Sequence, residues 1–132
     1  MPDFGAINTL FSRYAAANDW PNQELLESTF TEDATFTLHI AGADSLGPFE
    51  GRDAIVGFFM PILNGQTDTR KHVMTNFNLL GDGKVNAYLS LIVTDGGVTT
   101  YKSAGLYETT IVDGGDDGPR FSSMVLSLDS GF

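Results

Sequence analysis

Three residues in this sequence have types that together could move a proton to or from carbon: Tyr14, Asp19 and His72. Such a reaction needs a base near neutral pKa, a donor for a leaving oxygen or an enolate, and a dry cavity. A histidine paired to an aspartate is held in one tautomer, so its other nitrogen is a competent base, and a tyrosine hydroxyl can donate to a carbonyl or hydroxyl. This set needs no metal. The alternative is an ordinary partnered histidine in a protein that catalyses nothing. His39 is a weaker candidate, because it shares the polar face of a strand with Thr35 and Thr37.

The elements that must carry these groups follow from periodicity. Ile7, Leu10, Phe11 and Tyr14 recur at three and four residues, the stripe of a helix from Phe4 to Asn18 with one buried face. Tyr14 lies on that stripe, so its phenol needs a polar partner inside. Asp19 stands at the helix end, where the C-terminal dipole is unfavourable to a carboxylate, so its placement needs another reason. Asp19-Trp20-Pro21-Asn22 stops the helix, and Asn22 can cap a second, short one carrying Leu25, Leu26 and Phe30.

Phe36, Leu38 and Ile40 alternate with Thr35, Thr37 and His39 as a first strand. The breakers between Ala41 and Glu50 predict a loop, and Ile55, Phe58, Phe59 and Ile62 a third helix ending near Pro61 to Gly65. Four strands follow, Arg70–Leu80, Lys84–Thr94, Thr99–Val112 and Arg120–Asp129, joined by Gly- and Asp-rich turns that favour antiparallel hairpins. The run Asp113 to Gly118 reads as such a turn, since it lacks the alternating ligands and closing glutamate of a calcium loop.

Strand periodicity puts His72, Met74, Asn76 and Asn78 on one face of the first of these four, and Val73, Thr75, Phe77 and Leu79 on the other. The mixed His72 face suits a pocket wall, and the same alternation puts Arg70 rather than Lys71 beside it. Arg52, between Gly51 and Asp53 at a helix start, reads as solvated. Helices first and a hairpin-linked sheet second describe an α+β architecture, helices on one face of a bent sheet.

With 132 residues, 42% of them apolar, the chain has material for one core, and a single domain over residues 1–132 is expected. Seventeen acidic against seven basic residues give a net charge of −10, which disfavours nucleic acid and anionic membrane surfaces as partners. The absence of cysteine excludes disulfides and thiolate nucleophiles. Without a secretory signal or a run of about 20 apolar residues, a cytoplasmic location is the expectation.

The ordered segments Arg13-Tyr14-Ala15 with Asp19, Phe30-Thr31-Glu32-Asp33-Ala34, Gly51-Arg52-Asp53-Ala54-Ile55, Arg70-Lys71-His72 with Thr75-Asn76, and Ser103-Ala104-Gly105-Leu106-Tyr107 span nearly the whole chain. Together they resemble the SnoaL-like branch of the nuclear transport factor two-like (NTF2-like) superfamily. The resemblance implies a cone-shaped fold, with N-terminal helices packed on a strongly curved, mainly antiparallel sheet enclosing a pocket. It also implies that Asp19 orients His72 as base and that Tyr14 assists, as in the dehydratases of that superfamily. The match departs from scytalone dehydratase, since no second histidine has a counterpart and the strand around Ala104 offers Tyr107. The Asp-Arg-Asp set of its epoxide hydrolase cannot be placed either.

The expectation is therefore a cofactor-independent lyase or isomerase, dehydratase-like, acting on a small hydrophobic hydroxylated or ring substrate. Trp20, Phe58, Phe59, Met74, Asn76, Leu89 and Tyr107 are the candidate pocket-lining residues. The competing reading is a non-catalytic domain of the same fold that binds an apolar ligand or dimerises. A homodimer is expected through the outer sheet face, where Val73, Phe77 and Leu79 would lie unless they pack on the helices.

Overall fold

A computed structural model describes residues 2–132. The elements run α1 (Phe4–Asp19), α2 (Gln23–Glu27), β1 (Phe30–Ile40), β2 (Leu46–Glu50), α3 (Arg52–Asn64), β3 (Thr69–Gly81), β4 (Lys84–Asp95), β5 (Val98–Asp113) and β6 (Pro119–Leu128). All six strands form one sheet in the order β2-β1-β6-β5-β4-β3. Every pairing is antiparallel except β1 with β6. Helices on a curved, mostly antiparallel sheet make the α+β cone predicted from the sequence. Among the described residues no helix is long and apolar enough to cross a membrane.

Helix α1 starts where the Asp3 carboxylate accepts the amide of Ala6 at 2.8 Å, and α2 where Asn22 accepts that of Leu25 at 3.0 Å. The stripe Ile7, Leu10, Phe11 and Tyr14 is buried against the sheet as its spacing requires. Phe11 and Tyr14 each meet Phe121 edge to face, which joins α1 to β6.

Three local expectations need correction. Phe30 opens β1 instead of closing α2, because α2 ends at Glu27 and β1 is long enough to reach it. The segment read as a loop up to Glu50 contains β2, which pairs with β1 in the register Thr35↔Glu50 and Phe36↔Phe49. Gly47 and Pro48 hide it in the sequence, but β2 is an edge strand, where a proline costs no ladder bond on the open side. Arg52 is half-buried, and its guanidinium donates to the carbonyl of Phe30 at 3.4 Å, tying α3 to the start of β1.

Strand β3 departs from strict alternation. Its pairing with β4 slips between Thr75 and Asn78, and Asn76 sits at φ 57°, a left-handed conformation that asparagine tolerates better than most residues. The bulge carries Phe77 off the outer face to meet Phe4 and Phe11 edge to face, with ring centroids 5.6 and 5.2 Å apart. Phe77 thus packs under α1, not on the outer face where alternation put it.

Candidate functional site

Strand β3 lies at the opposite edge of the sheet from β2, so its outward backbone amides have no strand partner. The C-terminal end of α1 covers that edge. Asp19 accepts the His72 amide there, at 3.0 Å through Oδ1 and 3.1 Å through Oδ2. The same Oδ1 is 2.6 Å from Nδ1 of the His72 ring. These bonds are the reason a carboxylate stands at a helix end whose dipole disfavours it. An ionised carboxylate only accepts, so Nδ1–H donates to it, and in the neutral form of the ring Nε2 keeps the lone pair. The two side chains are only 6% and 12% exposed, which keeps water from competing for the contact.

His72 borders a narrow cavity between α3, the end of α1 and the concave sheet face. Tyr14, Phe58, Phe59 and Leu89 share this lining with it, and Asp19 stands behind the ring. The lining from α3, β1, β4 and β6 is wholly apolar; Phe36, Leu38, Leu126 and Leu128 are part of it, although alternation alone did not show which face was concave. The polar lining is Tyr14, Asn18, Gln66, Arg70 and His72. The cavity measures about 50 Å³. Ligand pockets commonly hold roughly 300–1,000 Å³, so this cavity would admit a ring-sized molecule only if side chains moved. Phe58, Gln66 and Phe132 belong to the lining and are not fully buried.

Tyr14 is buried, and its phenol oxygen accepts a hydrogen bond from the Tyr107 hydroxyl at 3.4 Å, which leaves the Tyr14 O–H to donate elsewhere. Burial pushes both phenols well above the ordinary tyrosine range, more than their hydrogen bonds offset for Tyr14, so both remain neutral. The Asn18 amide donates to the Tyr14 carbonyl at 2.8 Å, one turn back along α1.

Four expected lining residues lie elsewhere. Trp20 is 62% exposed, with the Lys71 ammonium 5.3 Å from its ring centroid on the outside of the molecule. Tyr107 stands behind Tyr14 as its hydrogen-bond partner, outside the cavity lining. Met74 faces a second small space of about 60 Å³ between α1 and β3, which His72 also borders together with Asn8 and Ser12. Asn76, on the bulge, opens onto an outer cleft beside Tyr88 and Leu106. Alternation failed for Asn76 because the bulge intervened, and for Met74 because one face of β3 passes from the cavity to the underside of α1. His39 is exposed and hydrogen-bonded to Ser45, far from this chemistry in character.

Arg70, which alternation placed on the His72 side, borders the cavity and is 9% exposed. Its Nε donates to Asp68 Oδ1 at 2.8 Å and its Nη2 to Asp68 Oδ2 at 3.2 Å. That fork holds the Asp68 carboxyl below its usual range, because the hydrogen bonds and charge of Arg70 favour the ionised form. Among the described residues no cluster of three histidine, aspartate or glutamate side chains is positioned to hold a metal ion.

Similar architectures occur among solved structures. A protein from Catenulispora acidiphila in complex with S-DNPA is 24% identical over 95% of this chain and 92% of its own, with a TM-score of 0.78. ActVI-ORFA from Streptomyces coelicolor is 16% identical over 100% of both chains, with a TM-score of 0.81. An NTF2-like protein with a cystatin-like fold from Novosphingobium aromaticivorans is 20% identical over 98% of this chain and 84% of its own, with a TM-score of 0.69. At these identities the likeness is one of fold. Sequence comparison with curated proteins finds no significant match. The profile of the SnoaL-like domain matches residues 1–125, nearly the whole chain, and the protein therefore belongs to the SnoaL-like family within the NTF2-like superfamily.

Proposed function

We propose that this protein is a cofactor-independent lyase or isomerase of the dehydratase type, acting on a small hydrophobic substrate that carries a ring or a hydroxyl group. The observation that carries the reading is the 2.6 Å contact between Asp19 Oδ1 and His72 Nδ1, beside an apolar cavity that Tyr14 also lines. Membership of the SnoaL-like family supports it, as does the complex of the Catenulispora acidiphila protein with a small organic molecule.

In this mechanism His72 Nε2 accepts a proton from a carbon next to a carbonyl or a leaving group. Asp19 keeps Nδ1–H in place and stabilises the imidazolium that forms, so the dyad goes from a net charge of −1 to zero. The Tyr14 hydroxyl donates an assisting hydrogen bond to a carbonyl or hydroxyl oxygen of the substrate. The apolar walls keep water from quenching the carbanion and strengthen each of these interactions.

The test is a screen of hydroxylated ring ketones for dehydration and isomerisation, with His72→Ala and Asp19→Asn as comparisons. Loss of roughly 10²- to 10⁴-fold in turnover, in protein that remains folded, is expected for His72→Ala. Equal activity in the variant and the parent overturns the assignment.

One further observation favours a homodimer, whether or not the site is catalytic. Tyr88, Tyr101 and Val73 are 55%, 79% and 38% exposed on the outer side of the sheet, where a second copy of the chain would cover them. Light scattering at micromolar concentration is expected to give twice the chain mass, and a monomer mass counts against the dimer.

A further inference from the structure

Arg70 is not used by the mechanism above, yet it is more than nine-tenths buried, borders the cavity and stands two residues from His72 on one face of β3. Its bonds to Asp68 occupy Nε and one edge of Nη2. Nη1 makes no hydrogen bond among the described residues, and because no buried side-chain nitrogen there lacks a partner, this donor is accessible and open to a ligand. A fork held by a carboxylate on one side, in a residue that borders an apolar cavity, is a preorganised donor to a substrate oxygen.

The charges around the cavity select what that oxygen can be. The titratable and charged groups lining it are Tyr14 from α1 and Arg70 and His72 from β3, with Asp19 behind His72 and Asp68 paired to Arg70. Asp68 cancels Arg70, so with His72 neutral the set carries the single negative charge of Asp19. A ligand already anionic would meet that charge uncompensated. A neutral carbonyl compound would not, and once its proton reaches His72 the dyad is neutral, the new negative charge lies on the substrate, and Arg70 is the fixed cation beside it.

We infer that Arg70 binds the carbonyl oxygen of a neutral, enolisable ketone and holds the enolate oxygen formed when His72 takes the α-proton. The inference rests on the dyad reading above and names the substrate class of the same site. The α-C–H bond breaks and its proton goes to Nε2 of His72. The bonding pair becomes the C=C bond of the enolate, the carbonyl π pair moves to oxygen, and that oxygen accepts from Nη1–H of Arg70. Side chains at i and i+2 stand roughly 7 Å apart along a strand, a span that an O=C–C–H unit bridges with a hydrogen bond at either end. Tyr14 is then available to donate to a departing hydroxyl.

4-Nitrophenol tests this with a small ring whose colour reports whether its oxygen is ionised, independently of any turnover. The readout is the ratio of bound phenolate to bound phenol at fixed pH, with methyl shifts of Leu89 and Leu91 locating the probe in the cavity. Arg70→Gln is expected to lower that ratio about tenfold or more, the equivalent of one pKa unit, while Tyr14→Phe changes it less than about twofold. Asp68→Asn, which leaves Arg70 in place and removes its compensating charge, is expected to raise the ratio. If Arg70→Gln does not fold, Asp68→Asn carries the test alone.

An unchanged ratio in Arg70→Gln, no rise in Asp68→Asn, or no binding of the probe in the cavity overturns the inference. The two readings fail separately. Sensitivity to Arg70→Gln without sensitivity to His72→Gln leaves the oxygen site standing and removes His72 as proton acceptor. The reverse pattern keeps the dyad and removes Arg70 from the chemistry.

Discussion

The two sides of the cavity are built by opposite rules. On the side of α3, β1 and β6, Phe36 is fully buried among Phe49, Phe58 and Phe59, with ring centroids 4.8 to 6.4 Å away, and no polar group interrupts the wall. On the side of α1 and β3, Asp19, His72, Tyr14 and Arg70 each depend on one or two partners. The aromatic wall draws stability from area and close packing, so its losses scale with volume removed. The polar wall draws little net stability from each bond but loses heavily when one partner disappears and the other stays buried. One side therefore sets the shape of the cavity, and the other sets its chemistry.

Substitutions can break that contrast. Phe36→Ala on the apolar side is expected to cost about 3–5 kcal/mol in urea denaturation, the range for removing a large ring from a packed core. A loss below about 1 kcal/mol would mean that the wall is loosely packed and that the contrast fails on that side.

Asp19→Ala should cost about 1–3 kcal/mol by the same measurement, since it strands both the His72 amide and its ring N–H. Asp19→Asn keeps an acceptor oxygen there and should recover at least half of that loss. Equal stabilities for the two variants would show that the contact contributes position and not stability.

Alkaline pH sharpens the comparison further. The Tyr14 phenol is raised above its ordinary value of 10.0 by burial. Above about pH 10 the unfolded chain therefore loses this proton while the folded chain keeps it. The contribution is fully present below that pH and is lost as pH rises toward the folded value. Thermal melts should fall more steeply above pH 10 in the parent than in Tyr14→Phe, and parallel curves would contradict burial of this hydroxyl.

The smallest effect is expected outside the cavity. Trp20→Ala removes an exposed ring stacked under Lys71 and should change stability by no more than about 1 kcal/mol, with 4-nitrophenol affinity unaltered. A loss of affinity would bring Trp20 back to the site as a residue that moves over the opening.

Much of the fold was legible because helices and hairpins record themselves locally. The three- and four-residue spacing from Ile7 to Tyr14 and the Gly-Asp turns between β3, β4, β5 and β6 are readable without knowledge of any partner. Strand β2 was not, since a Gly-Pro pair signals a loop unless the open edge of β1 is already known to lie beside it. Nor was the parallel pairing of β1 with β6, which joins segments separated by most of the chain. Of the candidate site residues, Tyr14, Phe58, Phe59 and Leu89 lie in the cavity lining with Arg70 and His72, while Trp20, Met74, Asn76 and Tyr107 lie outside it.

By itself the sequence determined which residues share a helix stripe or a strand face, because those periods are set by backbone geometry within a few residues. It also determined the chemistry available, a histidine, carboxylates, phenols and an arginine without a thiol, and the resemblance that pointed to this fold. Only the tertiary structure decided that Asp19 closes on His72 across 53 residues, that Asn76 bulges outward so that Phe77 turns in, and that Tyr107 serves Tyr14 from behind. Those outcomes depend on which sheet edge is left open and on the register of one strand against the next, quantities that exist only once distant segments have paired.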